Sequence, residues 1–425
     1  MLTILINRNF KSAKEIHRLQ VTAMNSRSTA ITKVYQKATL LRLRYKLVII
    51  MLVALCVFAL SKGPPPGQNH FVYLADSFLH GQLDVTGDGI ALAEIVPFQG
   101  NYYVVYPPMP AVLLTPFVAV FGVAFDQGLL SIILASICVA LTWFMLKKTG
   151  TSGSKTLWLA ALFGFGTCFW FISSVGSAWY IEHVAAVFFL TSAIILALYR
   201  KSPVLVGLLL GFAFLSRLPV ILCFPFFLLL ICQEQNAWKP RLKQVALFAL
   251  GLGILVSVYE LYNFGRWGVF SDLGYSLIPG LTEDPYYTQG IFSLSYIPRH
   301  IYAIFFQSPI LLNDLPYFQP SWMGLGLFFT TPAFIYVFKG SWNTLSKYAA
   351  LAVLCILPVL ITHGTVGFTQ FGYRFSLDFT PFLILLAAKG MRENLGWAEK
   401  SLIILSILVN FWGIVSIIKI DFVSF

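Results

Sequence analysis

Charge is scarce in this chain. Asp, Glu, Lys and Arg make up only 11% of its 425 residues, less than half of the roughly 25% usual in a soluble domain. With 58% hydrophobic residues, a soluble globular fold is excluded. Cysteine is also sparse. The six cysteines, Cys56, Cys138, Cys168, Cys223, Cys232 and Cys355, fall within or at the ends of apolar runs. No pair has CxxC spacing, so a disulfide framework and a thiolate metal site are both excluded. The sequence has no Walker A motif, HExxH, Gly-x-Ser-x-Gly or metal-spaced His/Cys cluster. ATP hydrolysis and zinc chemistry lose their usual signatures. No cofactor or metal ligand is assigned, and a divalent cation has no motif behind it. No small-residue cleavage site follows the first apolar run, Leu47 to Leu60. Lys62-Gly63-Pro64-Pro65-Pro66 follows instead, so the run reads as a retained signal anchor.

What is abundant is uninterrupted apolar sequence. Runs long enough to cross a bilayer recur along the chain. They are continuous and not alternating, which excludes strands as the spanning element. The expected fold is an all-α polytopic membrane protein with about eleven transmembrane helices. They lie near 46–61, 128–147, 156–174, 181–199, 203–217, 218–232, 244–262, 323–339, 347–363, 376–390 and 401–419. The net charge is +12, and residues 1–46 hold ten Lys/Arg against one acid, Glu15. Residues 1–45 therefore read as a basic cytoplasmic tail in contact with anionic lipid, not as a nucleic-acid arm. With that end inside, every short basic connection falls on the cytoplasmic side: Lys147/Lys148/Lys155, Arg200/Lys201, Lys239/Arg241/Lys243, Lys339/Lys347 and Lys389/Arg392/Lys400. Two long segments then face outward, 62–127 and 263–322. The expected location is the plasma (inner) membrane, multi-pass, with an extracytoplasmic active face.

The first outer segment holds unusual polar density. Between Gly67 and Gly122 stand Asp76, Asp84, Asp88, Glu94, His70 and His80. Packing does not require this, so the segment is where chemistry is expected. A helix over 69–80 would put Asn69, Tyr73, Asp76 and His80 on one stripe. The apolar piece from Pro107 to Gly122 is short for a span and reads as an interfacial helix. Tyr102, Tyr103 and Tyr106 precede it at headgroup level.

These features, in order, resemble the bacterial branch of the GT-C superfamily, membrane glycosyltransferases that use polyprenyl-phosphate sugars. Protein O-mannosyltransferases and aminoarabinose transferases belong to it. The resemblance rests on Gly81-Gln82-Leu83, Gly100 to Tyr103, and Tyr106-Pro107-Pro108 before an apolar helix ending in Phe121-Gly122. It continues in GLLLGFAFLSRLP (Gly207 to Pro219), YNFGRWGVFSDLGYS (Tyr262 to Ser276), GLGLFFTTPAF (Gly324 to Phe334) and QFGYRFSLDFTPFLILLA (Gln370 to Ala387). Together these cover about residues 45–390. There is one departure. Many members carry an acid just after the first span, where this chain has Gln68-Asn69-His70.

The resemblance implies transfer of a sugar from a lipid phosphate to a lipid, glycan or protein hydroxyl. That reaction needs a base near the hydroxyl and cations near the phosphate. The candidate bases are Asp76, His70, Asp84, Asp88 and Glu94, with Asp76 foremost. Candidates for binding the substrate are Arg374, with Asp378 one turn on and Tyr373 before it, together with Arg217, Glu182, His183, Tyr106 and Arg266. A simple i,i+4 pair of Arg374 with Asp378 is the plain alternative for those two. A transporter or flippase of lipid-linked sugars is a second reading, disfavoured because no half-to-half repeat is visible. An inactive relative acting as an envelope scaffold is a third.

Overall fold

A computed structural model describes residues 41–85, 94–151, 153–200 and 202–425. Most of the basic tail and Asp88 lie outside these. One compact body runs from Met51 to Phe425, and the described residues 41–50 belong to a separate unit.

Six helices are long and apolar enough to cross a membrane: Leu41–Ser61 (α1), Gln127–Lys148 (α4), Ala178–Leu198 (α7), Trp238–Trp267 (α10), Thr344–Ile361 (α13) and Trp397–Lys419, whose α-helical part is Trp397–Gly413 (α15). A seventh span is formed by Lys155–Phe165 (α5) and Phe169–Val175 (α6) if this pair, bent by 52°, is counted as one. Four apolar pieces are shorter: Met109–Ala124, which contains α3 (Met109–Phe121), Pro203–Phe214 (α8), Leu218–Cys232, which contains α9 (Phe224–Cys232), and Thr380–Gly390 (α14). This is the make-up of an integral membrane protein. The expected span at 323–339 is not one helix. It is a single α turn, Leu327–Thr330 (α12), followed by a 3-10 run, Pro332–Phe338. Pro332 has no N–H for an α-helical bond and its ring crowds the preceding turn, which breaks the helix there.

Two devices set the helices against one another. Gly207 and Gly211 on α8 face Gly251 and Leu255 on α10. A Cβ at Gly207 would lie 2.2 Å from the Phe248 carbonyl, and one at Gly251 would lie 2.1 Å from that of Val204. The two backbones touch, as small residues allow between helices in lipid. At the other device, Asp126 caps α4 through the Gly128 N–H at 2.8 Å and pairs with Lys62 at 2.5 Å. The end of α1 is thereby tied to the start of α4.

The segment between α1 and α4 has structure of its own over its described residues. Helix His70–Leu79 (α2) packs against α3. Between them lies a hairpin, Ile95–Phe98 (β1) with Asn101–Val104 (β2), in the register Ile95 opposite Val104. Polar ties draw this segment onto the spans. The Gln68 carbonyl accepts from the Ala178 N–H at 2.8 Å and from the Gln127 side chain at 3.1 Å. The Met109 N–H donates to the Leu215 carbonyl at 3.0 Å. The starts of α2, α3 and α7 and the end of α8 therefore meet at one end of the helices.

Candidate functional site

Two groups of polar side chains stand at that end. The first is a buried ion network. Glu182 and His183 come from the second turn of α7. Arg217 follows α8 in extended backbone, at φ −147 and ψ 110, just ahead of the 3-10 run Leu218–Cys223. Asp378 closes the 3-10 turn Arg374–Asp378 ahead of α14. Arg217 grips Asp378 with two bonds, Nε to Oδ1 at 3.3 Å and Nη2 to Oδ2 at 3.1 Å, and gives Nη1 to Glu182 Oε1 at 2.7 Å. His183 Nδ1 donates to Asp378 Oδ1 at 3.0 Å. Bidentate, charge-assisted bonds of this kind are the strong ones. His183 Nε2 and Glu182 Oε2 are buried without a hydrogen-bond partner among the described residues.

The alternative pairing of Arg374 with Asp378 does not form: the ion pairs of Asp378 among the described residues are with His183 and Arg217. A 3-10 turn has three residues per turn, so positions i and i+4 do not stack. Asp378 turns to Arg217 and His183 instead.

The second group surrounds Glu94. Its carboxylate accepts from the Tyr106 hydroxyl and the Trp179 indole N–H through the same oxygen. Trp179 lies three and four residues before Glu182 and His183, so the start of α7 serves both groups. Glu94 sits at φ +64, a left-handed conformation uncommon for residues other than glycine and found where surroundings fix it. Burial pushes its carboxyl above the ordinary glutamate value, against the Trp179 bond and the positive charge of Arg374. The phenols of Tyr275 and Tyr287 are raised by burial and by the charge of Glu94. These two rings share Glu94's electrostatic neighbourhood.

Arg374 differs from Arg217 in its partners. It is 9% exposed. Its Nη1 donates to the Phe368 carbonyl at 2.7 Å, and its Nε has no partner. Among the described residues it makes no ion pair. The Phe375 ring lies between the two cations, 5.4 Å from the Arg217 guanidinium carbon and 5.2 Å from that of Arg374. A tight loop, 363–370, carries the backbone into this corner. Gly367 stands at φ +95, and a Cβ there would lie 3.0 Å from Arg374 Nη1. Gln370 straps the loop by donating to the carbonyls of Val366 at 3.0 Å and Met323 at 3.2 Å. The Tyr180 hydroxyl donates to the Thr369 carbonyl.

The other expected site residues go elsewhere. Asp76 does share a face of α2 with His80. That face is open, the two side chains being 41% and 66% exposed and 3.8 Å apart. Among the described residues Asp76 makes no ion pair with either arginine. His70 is fully buried at the start of α2. Asp84 is half-buried and makes no ion pair among the described residues. Arg266 is buried as a structural clamp. It donates to the Val104 carbonyl at 2.7 Å, pinning the hairpin, and to Asn263 at 2.7 Å, with Tyr262 beneath its guanidinium at 4.0 Å. The Tyr373 hydroxyl is taken by His300 at 2.9 Å. The sequence reading missed Trp179, Tyr275, Tyr287, His300, His363 and the loop that bears His363. The one signal was three glycines, Gly364, Gly367 and Gly372, ahead of Arg374, too dense for a lipid-facing helix. Among the described residues, no group of three His, Cys, Asp or Glu is placed to hold a metal ion.

No family model matches the chain, and no curated protein matches it. One solved structure is similar, the Saccharomyces cerevisiae protein O-mannosyltransferase Pmt1–Pmt2 complex bound to the sugar donor. The likeness has a TM-score of 0.39 at 15% identity and covers 66% of this chain. The chain spans 38% of that protein's length.

Proposed function

We propose that the chain is a membrane glycosyltransferase of the GT-C type. It moves a sugar from a polyprenyl-phosphate donor to a hydroxyl of a lipid, glycan or protein at the extracytoplasmic face. The observation that carries this reading is Arg374, a buried guanidinium that pairs with no carboxylate among the described residues, whose charge acts on the half-buried acid Glu94. A buried cation calls for an anion, and the lipid-linked phosphate supplies one. Arg217 is already neutralised by Asp378 and Glu182, so it steadies the corner and Arg374 takes the phosphate.

Glu94 is the base. It removes the proton from the acceptor hydroxyl as the oxygen attacks the anomeric carbon. The bond from that carbon to the phosphate oxygen breaks, and the polyprenyl phosphate leaves with both electrons, held by Arg374. A single displacement inverts the anomeric configuration. An elevated carboxyl pKa brings the base nearer to working pH, which improves general base catalysis. Tyr106 and Trp179 fix the carboxylate, and its φ points to a conformation imposed by the surroundings.

The test uses the full chain in lipid nanodiscs, a panel of radiolabelled polyprenyl-phosphate sugars, and membrane lipids and glycans as acceptors. Label should pass to an acceptor with the wild type, and Arg374→Ala should abolish that transfer. In vesicles, donor that crosses the bilayer with its sugar still attached would favour the flippase reading. Neither transfer nor translocation across the whole panel would leave the scaffold reading.

A further inference from the structure

His300 and His363 have tautomers that their hydrogen bonds fix. His300 Nε2 faces the His363 carbonyl at 2.8 Å, so that nitrogen donates. His300 Nδ1 must then accept, and the Tyr373 hydroxyl gives its proton to it at 2.9 Å. Burial holds the His300 ring down at about 4, in keeping with a neutral imidazole. His363 Nδ1 faces the Thr365 carbonyl at 3.1 Å and therefore also donates. The series ends on His363 Nε2, a lone pair that makes no hydrogen bond among the described residues.

That lone pair has a defined frame. The His363 ring is half-buried and stands among four aromatic rings, with centroids at 5.8 Å for Tyr275, 5.6 Å for Tyr287, 5.7 Å for Phe292 and 5.9 Å for Phe375. Phe375 is the ring that also contacts both arginines. The backbone beside His363 is locked, since Arg299 Nη1 donates to the Gly364 carbonyl at 2.6 Å. A Cβ on Gly364 would lie 2.3 Å from Tyr287 Cδ1, so Tyr287 packs directly on the backbone.

The chemistry of the missing partner follows. An anion would be repelled by a lone pair. An ammonium group would stand close to two guanidiniums. A neutral O–H donor fits both. We propose that His363 Nε2 accepts a hydrogen bond from a hydroxyl of the donor's sugar, in a recognition subsite walled by Tyr275, Tyr287 and Phe375. This rests on the glycosyltransferase reading above. The donor and not the acceptor is meant because Phe375 separates His363 from Arg374 by one ring. A sugar ester-linked to a phosphate lies at that distance from it.

The experiment measures binding to the full chain in nanodiscs. The ligands are farnesyl phosphate, farnesyl-phosphate hexoses and their monodeoxy analogues, each in competition with a fluorescent polyprenyl phosphate. In the wild type, one deoxy analogue of the preferred hexose should bind about tenfold more weakly, the loss of one hydrogen bond. His363→Phe should bind the parent hexose about tenfold more weakly, erase the difference between parent and analogue, and leave farnesyl phosphate unchanged. His363→Gln, which keeps an acceptor, should restore part of the discrimination. It carries the test if the phenylalanine variant does not fold. Discrimination that survives His363→Phe, or a wild type that treats all deoxy analogues alike while binding farnesyl phosphate, overturns the subsite. A wild type that does not bind farnesyl phosphate overturns the glycosyltransferase reading, and the subsite falls with it.

Discussion

The α2 face and the Arg374 corner make opposite use of charge. The α2 face concentrates Asp76 and His80 in a few consecutive residues. The Arg374 corner is assembled from Glu94, Glu182, Arg217, Arg374 and Asp378, spread over nearly three hundred positions of the chain. The first is open and self-paired. The second is buried, and Arg374 in it makes no ion pair among the described residues. Polar density along a sequence marks where solvent is reached. What marks a binding site is charge held out of solvent and left for a ligand to satisfy.

The comparison breaks most easily at Arg217. Arg217→Met leaves the carboxylates of Asp378 and Glu182 buried without their cation, and removing one partner of a buried pair costs about 3–5 kcal/mol. Thermal unfolding in nanodiscs should show that loss. The triple variant Glu182→Gln, Arg217→Met, Asp378→Asn should recover much of it. Equal stability of the single and the triple variants would mean that the network is not the unit described.

Glu94 sharpens the contrast through pH. Its carboxyl is raised in the folded protein, so the folded state holds a proton that the unfolded chain gives up sooner. Stability should therefore fall as pH rises from the ordinary glutamate value through the raised one. Glu94→Gln should lose that fall and be more stable than the wild type above it. Transfer activity should rise over the same range, with its midpoint above 4.5, the ordinary glutamate value. A midpoint at or below that value would remove Glu94 as the ionising group.

A smaller effect is expected at Gly364. Gly364→Ala places a methyl 2.3 Å from Tyr287, an overpacking that costs about 1–3 kcal/mol. Hexose binding should weaken while farnesyl phosphate binding holds. The smallest effect belongs to the α2 face. Asp76→Asn should change the unfolding free energy by less than about 1 kcal/mol, as for other exposed pairs.

The sequence carried the membrane architecture well. Long apolar runs became long apolar helices at α1, α4, α7, α10, α13 and α15, because no other element satisfies its backbone in lipid. Short runs were harder. The run at 323–339 has the composition of a span, yet Pro332 divides it. For the site, Glu182, His183, Arg217 and Asp378 were each visible as ionisable groups in apolar surroundings, and the fold gathers them into one network. Their pairing was not visible. It depends on a 3-10 turn at 374–378, where helical spacing gave Arg374 the wrong partner. Glu94 ranked behind Asp76 because nothing in its neighbours along the chain shows that Trp179 and Tyr106 converge on it. His363 read as the end of a span, since its setting comes from rings at Tyr275, Tyr287 and Phe375.

The central claim is that Glu94, which feels the charge of Arg374, performs the chemistry, and not the acid on the open helix. Transfer rates of Glu94→Gln and Asp76→Asn, measured side by side with the preferred donor, test it most directly. Glu94→Gln should be slower by about 10²–10⁴-fold, the usual contribution of a general base, and Asp76→Asn should stay within about twofold of the wild type, as a surface pair allows. A fast Glu94→Gln beside a dead Asp76→Asn would contradict the account.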